Sequence, residues 1–187
     1  MSVATAPLPP SSNRRESGMS TENRQWLPFS EVRQPFQALL WAVYHEAPHS
    51  FVVPTHFKLS VRDGNLLWVS GQVPRFNHEI RHTGIVGQDI SLEQAREAAR
   101  LCTANFLSIV AAACDGDLER VEQIVRITGY VRAPSDFGAQ SEVINAASEV
   151  LVQVFGDRGR HARSAIGVQS LPGGAAVEIE GVVRLKD

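Results

Sequence analysis

The stretch that decides the fold is residues 91–131, which read SLEQAREAARLCTANFLSIVAAACDGDLERVEQIVRITGYV. Its first half repeats small and apolar residues every three or four positions, which predicts an amphipathic helix. Ser91 and Gln94 form a capping-box pair that opens this helix, and Asp115-Gly116-Asp117 ends it. The second half is rich in β-branched residues, so Val121 to Val131 is predicted to be a buried strand. The helix is expected to pack on a sheet through the stripe Ala95, Ala98, Cys102, Phe106, Ile109 and Ala113.

Two strands are predicted before this stretch. Lys58–Arg62 and Leu66–Ser70 flank Asp63-Gly64-Asn65, which is a good signal for a β-hairpin turn. The segment from Val73 to Gln88 contains proline and glycine without a periodic apolar pattern, so it is predicted to be a loop.

A second helix and two more strands are predicted after it. Pro134-Ser135-Asp136 is typical of a helix start, and the helical apolar spacing behind it stops at Gly156. Residues from Ser164 to Leu185 predict a final hairpin that turns at Pro172-Gly173-Gly174. The predicted order is β-β-α-β-α-β-β, an α+β fold with two helices packed on one face of a mixed sheet.

The last predicted strand indicates what the other face of the sheet carries. Its apolar residues alternate with Glu178, Glu180 and Arg184, so these polar side chains point away from the helices. A half-polar face of this kind is either solvated or part of a subunit interface with a polar cleft. The sequence pattern leaves both alternatives open.

Composition restricts the partners. The chain has 187 residues, a net charge of −2 and a pI near 6.3, which gives no electrostatic reason to expect nucleic acid or an anionic membrane. Its two cysteines, Cys102 and Cys114, cannot form a disulfide framework, and no Cys/His group has the spacing of zinc ligands. We therefore expect a cytoplasmic protein without a bound metal.

The first 50 residues are expected to stand apart from a domain at 51–187. Residues 1–20 are rich in Ser, Pro, Ala and Thr and predict a disordered tail. Residues 22–50 contain aromatic residues between prolines, which favours an appended helix. The longest apolar run there, Phe36 to Tyr44, is too short to span a bilayer.

Four runs of the sequence form a recognisable pattern: Gly64 to Gln72, Gly84 to Gly87, Gly159 to Ala165, and Leu171-Pro172 leading to Val177 to Glu180. In order and spacing, over about residues 54–186, they resemble the reactive-intermediate deaminase (Rid, or YjgF-type) family. The arginine-rich run Gly159 to Ala165 resembles one branch of it, often labelled endoribonuclease L-PSP or chorismate mutase-like.

This resemblance implies a chorismate mutase-like fold and a homotrimer with clefts between subunits. It also implies a hydrolase that converts 2-imino or enamine carboxylic acids to 2-keto acids and ammonia, with no cofactor. The expected partner is then a small carboxylate metabolite. Two alternatives stay open: a trimeric metabolite-binding protein without turnover, and a ribonuclease using the basic cluster Arg158, Arg160 and Arg163. That cluster lacks the interleaved aromatic residues that bind single-stranded RNA.

The resemblance also assigns site residues. Arg163 matches the arginine that binds the substrate carboxylate, and a guanidinium can do so with two parallel hydrogen bonds. Glu178 matches the acidic residue that positions the attacking water, whereas Glu180 is interpreted as structural. Ser70 and Gly71 match backbone donors to the substrate, and Asn145 matches an asparagine at the cleft. A structural salt bridge for Arg163 and a solvated Glu178 are the simpler alternatives.

Three positions depart from the family pattern. Phe57 lies where the family has an aromatic hydroxyl, and Ala165 lies where it has a cysteine. The connection from Phe137 to Asn145 is also longer than in the common form. Ala165 can still contribute its backbone carbonyl, but the missing phenol at Phe57 is expected to affect substrate choice.

The predicted final hairpin constrains how the site is built. With its turn near Gly173, Arg163 would lie opposite Val183, and Glu178 would lie five residues along the ladder, at about 17 Å. One small substrate cannot reach both side chains over that distance. The prediction is therefore a site shared between two subunits.

Overall fold

The computed structural model describes residues 56–187. The predicted disordered tail and appended helix within residues 1–50 lie outside the described residues, as does the beginning of the predicted domain. Within the described range the chain forms seven strands and two long helices. The strands are β1 (Ser60–Asp63), β2 (Leu66–Gln72), β3 (Arg75–Phe76), β4 (Glu79–Ile80), β5 (Val121–Arg132), β6 (Ala162–Val168) and β7 (Val177–Leu185), and the helices are α1 (Leu92–Ala113) and α2 (Gln140–Phe155).

Helix α1 begins as the sequence predicts. The Ser91 hydroxyl accepts from the Gln94 backbone N–H at 3.2 Å, and the Gln94 side chain accepts from the Ser91 N–H at 2.8 Å. This reciprocal capping box satisfies two of the unpaired N–H groups at the helix start. The predicted apolar stripe packs against the sheet, with Phe106 fully buried at its centre.

Five strands form one mixed sheet in the order β1-β2-β7-β5-β6. All neighbouring pairs are antiparallel except β5 and β6, which run parallel. Both helices lie on the same face, α1 over β2 and β7 and α2 over β5 and β6, and they also pack against each other. The predicted α+β fold, with two helices on one face of a mixed sheet, is therefore confirmed.

The predicted final hairpin is wrong. β6 pairs with β5, and β5 separates it from β7. The turn at Pro172–Gly174 does reverse the chain, but Ala176 then pairs with the end of β5, because Arg132 N–H donates to the Ala176 carbonyl at 2.8 Å. β7 buries every second residue and so belongs at the sheet centre, whereas β6 has mostly small or polar residues and lies at the edge.

Two boundaries also differ from the prediction. Helix α2 starts at Gln140 with Ala139 as its N-cap, and no side chain caps it, whereas the sequence predicted a start at Pro134-Ser135-Asp136. The predicted loop from Val73 to Gln88 contains a short ribbon formed by β3 and β4. Both errors have one cause, since turn-forming residues mark a change of direction without fixing where regular hydrogen bonding resumes.

No helix within residues 56–187 is long and apolar enough to cross a membrane.

The close packing of α2 on β5 predicts a stability effect at Gly129. A Cβ at this position would overlap the Ile144 side chain, which is fully buried in the core. Gly129→Ala should therefore lower the free energy of unfolding by about 1–3 kcal/mol, the usual cost of overpacking a core. Urea denaturation monitored by circular dichroism measures this change.

Gly138→Ala is the matched control, because Gly138 is exposed and a Cβ there would meet nothing within 4 Å. It should change the stability by less than about 0.5 kcal/mol. Equal stability of the two variants would contradict the close contact between α2 and β5.

Candidate functional site

Arg163 lies on the edge strand β6 and points toward helix α2. It is aligned with Ile127 of β5, whose side chain is in the core, so Arg163 lies on the helix-covered face. Its Nη1 donates to Asn145 Oδ1 at 2.9 Å and to Ser148 Oγ at 3.0 Å. Asn145 and Ser148 are three residues apart on α2 and therefore share one face of the helix. The structure thus brings together two predicted site residues, Arg163 and Asn145, and adds Ser148.

A histidine extends this group. His161 Nδ1 lies 2.6 Å from the Gly159 carbonyl, which can only accept, so Nδ1 carries a proton. In the neutral ring Nε2 is then an acceptor, and it receives the Ser148 hydroxyl proton at 3.1 Å. The Ser148 oxygen in turn accepts from Arg163. One directed chain of hydrogen bonds therefore runs from Arg163 through Ser148 and His161 to Gly159 and holds the guanidinium in place.

The electrostatics agree with a neutral His161. Burial lowers the pKa of the His161 ring most, and the nearby Arg163 charge lowers it further, against a smaller opposite effect of the Gly159 hydrogen bond. A protonated ring would present a donor at Nε2 and could no longer accept from Ser148. The hydrogen-bond chain therefore requires a neutral His161 ring, which is the state that burial and the Arg163 charge favour.

Part of Arg163 is left unused. Both of these hydrogen bonds come from Nη1, and no acceptor among residues 56–187 takes a hydrogen bond from Nε or Nη2. These two nitrogens carry parallel N–H groups on one edge of the guanidinium, which is the arrangement that binds a carboxylate with two hydrogen bonds. Asn145 and Ser148 fix one edge of the group, and the other edge can bind a ligand.

Glu178 lies on the opposite face of the sheet, above Gly71. The side chains of β7 alternate, so Val177 and Ile179 are buried under the helices and Glu178 projects from the other face, half-buried. A Cβ at Gly71 would overlap the Glu178 carboxylate, so the missing side chain provides the space that the carboxylate occupies. Two further predicted site residues, Glu178 and Gly71, are therefore neighbours.

The surroundings of Glu178 disfavour its ionised form. Burial raises the pKa of the Glu178 carboxyl most, and the negative charge of Glu180 raises it further. A carboxylate with a raised pKa is a better proton acceptor than an ordinary one. The Glu178 carboxylate therefore binds a proton more readily than an ordinary glutamate does.

Strand β2 contains a bulge next to Glu178. The register against β7 shifts between Val69 and Gln72, which leaves Ser70 and Gly71 in the irregular part. The buried Gln72 side chain donates to the Ser70 and Gly71 carbonyls, at 2.9 Å each. Ser70 uses its own donors within the chain, its N–H on the Leu59 carbonyl and its hydroxyl on the Lys58 carbonyl. In this chain Ser70 therefore has no donor left for a substrate.

The remaining predicted residues lie further away. Phe57 precedes β1, at the opposite edge of the sheet from Arg163, and its side chain is 58% exposed. Ala165 is aligned with Gly129 on the helix-covered face of β6 and is partly buried against the core. Ala165 therefore lies beside Arg163, whereas Phe57 does not.

The site residues form two groups on opposite faces of one chain. Arg163, Asn145 and Ala165 are on the helix-covered face at the β6 edge, and Glu178, Gly71 and Ser70 are on the open face or the bulge beside it. Arg163 is level with Gly181, and Glu178 is three residues along β7 and two strands away. Their Cα atoms are therefore roughly 14 Å apart. This separation replaces the predicted 17 Å, which assumed the wrong strand pairing.

Sequence reasoning missed Ser148 and Tyr130. Ser148 falls on the face of α2 that carries Asn145, three residues away, and this spacing was a usable signal. Tyr130 lies on the open face, and its hydroxyl donates to Glu180 Oε1 at 2.8 Å. Its place opposite Glu178 depends on the pairing of β5 with β7, which the sequence analysis did not predict.

Within residues 56–187, the predicted site residues neither form a metal-ligand cluster nor line the cavity that lies near β6. The described part of the chain contains no group of three or more His, Cys, Asp or Glu side chains that could hold a metal ion. A cavity of about 550 Å³ lies beyond the other end of β6, lined by Gln88, Gln140 and Gln169 among others, and includes none of the predicted site residues.

Two helices over one face of the sheet β1-β2-β7-β5-β6 define an α+β protein of the chorismate mutase-like class. The family model described as "YjgF/chorismate_mutase-like, putative endoribonuclease" matches residues 42–176. The chain belongs to this YjgF/chorismate mutase-like family, which confirms the resemblance seen in the sequence.

Relatives extend over most of the chain. Protein TCP17 of Trypanosoma cruzi is 38% identical over 141 residues, which cover 75% of this chain and 88% of that protein. A protein of unknown function from Agrobacterium tumefaciens is also 38% identical, with a TM-score of 0.70 over 81% of this chain and 98% of that one. The YjgF gene product of E. coli is 24% identical with a TM-score of 0.52, over 73% of this chain and 92% of that one, and supports the fold alone.

The hydrogen-bond chain predicts how His161 titrates. Arg163→Gln should raise the pKa of His161, because a nearby positive charge is removed. The pKa should still stay below the ordinary value of 6.5, because burial is the larger cause of the shift. The imidazole C–H signal in an NMR titration, assigned with His161→Gln, measures this.

Arg160→Gln is the matched control, since Arg160 is exposed and bonded to Asp157 rather than facing the ring. It should leave the His161 titration where it is in the unchanged protein. If the pKa of His161 is unchanged or lowered in Arg163→Gln, the result would contradict the position of the Arg163 charge beside the His161 ring.

Proposed function

We propose that this protein is a hydrolytic deaminase of small 2-imino or enamine carboxylic acids, which it converts to 2-keto acids and ammonia. Its site is shared between two copies of the chain. Arg163 and Asn145 of one copy bind the substrate, and Glu178 of a neighbouring copy acts on the water. Membership of the family supports this class of chemistry, and the residues of the two groups support the assignment of roles.

The observation that carries the proposal is the unused edge of Arg163. Its Nη1 is held by Asn145 and Ser148, while Nε and Nη2 have no acceptor among residues 56–187. A guanidinium fixed along one edge loses little freedom when it binds a planar carboxylate along the other. The carboxylate of a 2-imino acid would fit there and would orient the adjacent imine carbon.

The reaction needs one proton acceptor and no redox partner. Glu178 takes a proton from water as the oxygen attacks the carbon of the protonated imine, and this forms a neutral carbinolamine. Glu178 passes that proton to the nitrogen, then takes the proton of the carbinol hydroxyl as the C–N bond breaks, and the products are the 2-keto acid and ammonia. An enamine reaches the same path after it takes a proton on carbon and becomes the imine. A carboxylate with a raised pKa suits these proton steps.

The arrangement of the sheet supports a shared site. Arg163 and Glu178 lie on opposite faces and roughly 14 Å apart, so one chain cannot place both on one small molecule. Among residues 56–187, no strand pairs with the outer edge of β6 and no helix packs on the open face, so both could contact a neighbouring copy. A cyclic trimer in which each copy offers its edge to the next would form three equivalent sites. Glu178 and Glu180 would then line the polar part of the interface.

Arg163→Ala should abolish binding of 2-keto acids without unfolding the protein. Loss of a charge-assisted pair that leaves its partner buried costs about 2–5 kcal/mol, which corresponds to roughly a 30-fold or greater loss of affinity. Isothermal titration with pyruvate as the probe measures it. Arg160→Ala is the matched control, because this exposed arginine lies three residues away and should leave the affinity unchanged. Equal affinity of the two variants would place the carboxylate elsewhere.

Glu178→Gln should lower turnover while keto-acid affinity changes little. Glutamine keeps the shape but cannot accept the proton, and such a loss reduces the rate by roughly 10²–10⁴. Ammonia release from an imino acid generated in the assay by an amino-acid oxidase measures it. A binding protein without catalysis would show no enzyme-dependent ammonia release even before the change, and this separates the two alternatives.

Mixing the two variants tests whether the site is shared. In trimers co-assembled from equal amounts of Arg163→Ala and Glu178→Gln chains, a site regains both residues with a probability of about one half times one half, or about a quarter. Activity should therefore return to roughly that fraction. Mixed assemblies as inactive as either parent would refute the shared site, and light scattering that gives a monomer of 20.5 kDa would refute the assembly itself.

A further inference from the structure

The open face of the sheet carries two carboxylates with unequal partners. Glu178 and Glu180 are two residues apart on β7, so they share a face at a Cα spacing of about 7 Å. Tyr130 lies directly opposite Glu178 in the ladder with β5, and Thr128 lies opposite Glu180. The Tyr130 hydroxyl nevertheless donates to Glu180 Oε1, at 2.8 Å, and not to Glu178. The phenol reaches diagonally past its cross-strand partner.

This diagonal bond leaves Glu178 free. No side chain among residues 56–187 donates a hydrogen bond to the Glu178 carboxylate. On the β2 side the bare backbone of Gly71 leaves room for that carboxylate. Glu180 is thus held toward β5, and Glu178 is left over the gap at Gly71.

No other charged group near the two carboxylates gives Glu178 a partner like the one that Tyr130 gives Glu180. On β5, Arg126 faces the same side, but its Nη2 donates to Ser164 Oγ at 3.1 Å and it forms no ion pair with either carboxylate. Strand β2 offers only Ser70 and Gly71 there. Below the sheet, the Cys102 thiol on α1 is fully buried and donates to the Val177 carbonyl at 3.4 Å. Tyr130 is therefore the group that distinguishes the two carboxylates.

We propose that Tyr130 is a positioning residue for the proposed deaminase, which holds Glu180 away from Glu178 so that Glu178 alone accepts the proton of the attacking water. This inference rests on the function proposed above, and it adds a residue that acts through Glu180 without touching the substrate. Two carboxylates without such a donor tend to share one proton. A Glu178 that shares a proton with Glu180 cannot take one from water.

The proposal predicts that the pKa of Glu178 shifts in opposite directions in two variants, Tyr130→Phe and Glu180→Gln. In Tyr130→Phe, Glu180 loses its hydrogen-bond donor, and a proton shared with Glu178 takes the place of that donor. Glu178 should therefore take up a proton at higher pH. In Glu180→Gln the like charge is gone, so Glu178 should take up a proton at lower pH. Each shift is expected to be roughly half to one pH unit. A ring that only fills space would move neither, because phenylalanine keeps the ring.

The experiment follows the side-chain carboxyl carbon of Glu178 by NMR across a pH titration in the full-length protein, with and without each substitution. Opposite displacements in Tyr130→Phe and Glu180→Gln are expected. Thr128→Val is the matched control on the same strand and face. It keeps the volume and removes a hydroxyl that is not hydrogen-bonded to either carboxylate, so it should leave the Glu178 titration unchanged. The proposal is overturned if Tyr130→Phe leaves the titration midpoint of Glu178 unchanged. It is also overturned if both substitutions move that midpoint in the same direction.

Kinetics add a second readout. The acid limb of the kcat profile should move in the same opposite directions, while KM stays nearly constant, because the substrate is held by Arg163. Absence of any ammonia release by the unchanged protein would refute the deaminase, whereas the carboxyl titration would still decide the role of Tyr130. The two failures are therefore distinguishable.

Discussion

The arrangement of the molecule depends on the central place of β7. This strand is paired on both sides, by β2 and by β5, and buries every second residue under the helices. Close packing demands small groups at one point, where a Cβ on Gly181 would come within 3.0 Å of Phe106 and closer still to the Arg126 carbonyl. Because the register of a central strand cannot slip without turning its apolar residues outward, Glu178 and Glu180 must project from the open face.

The same topology separates the two groups of site residues. β6 returns parallel to β5 and becomes an edge, which brings Arg163 against α2 and within reach of Asn145 and Ser148. Glu178 stays two strands away on the other face. A single chain therefore carries the two halves of the proposed site on different faces of its sheet. In the proposed assembly, each half would meet the other half on a neighbouring copy.

The sequence predicted the elements better than their pairing. The capping box at Ser91, the alternation of β7 and the buried strand β5 follow from local hydrogen bonding and apolar period, and they were predicted correctly. The final hairpin was not, because a turn at Gly173 reverses the chain without identifying its partner strand. The contact of Arg163 with Asn145 agrees with the resemblance to the family. Tyr130 was missed because the pairing of β5 with β7, which sequence reasoning did not predict, brings it opposite Glu178, 48 positions away in the chain.

The place of β7 also affects how the molecule is made. It is the last of the seven strands along the chain, yet it lies in the middle of the five-stranded sheet. Until residues 177–185 have left the ribosome, β2 and β5 both present unpaired edges to the cell, and the apolar surfaces of both helices have no complete sheet to cover. Such half-built sheets attract other strands and aggregate. The central part of the sheet can therefore form only after residues 177–185 are available, because β7 joins β2 to β5.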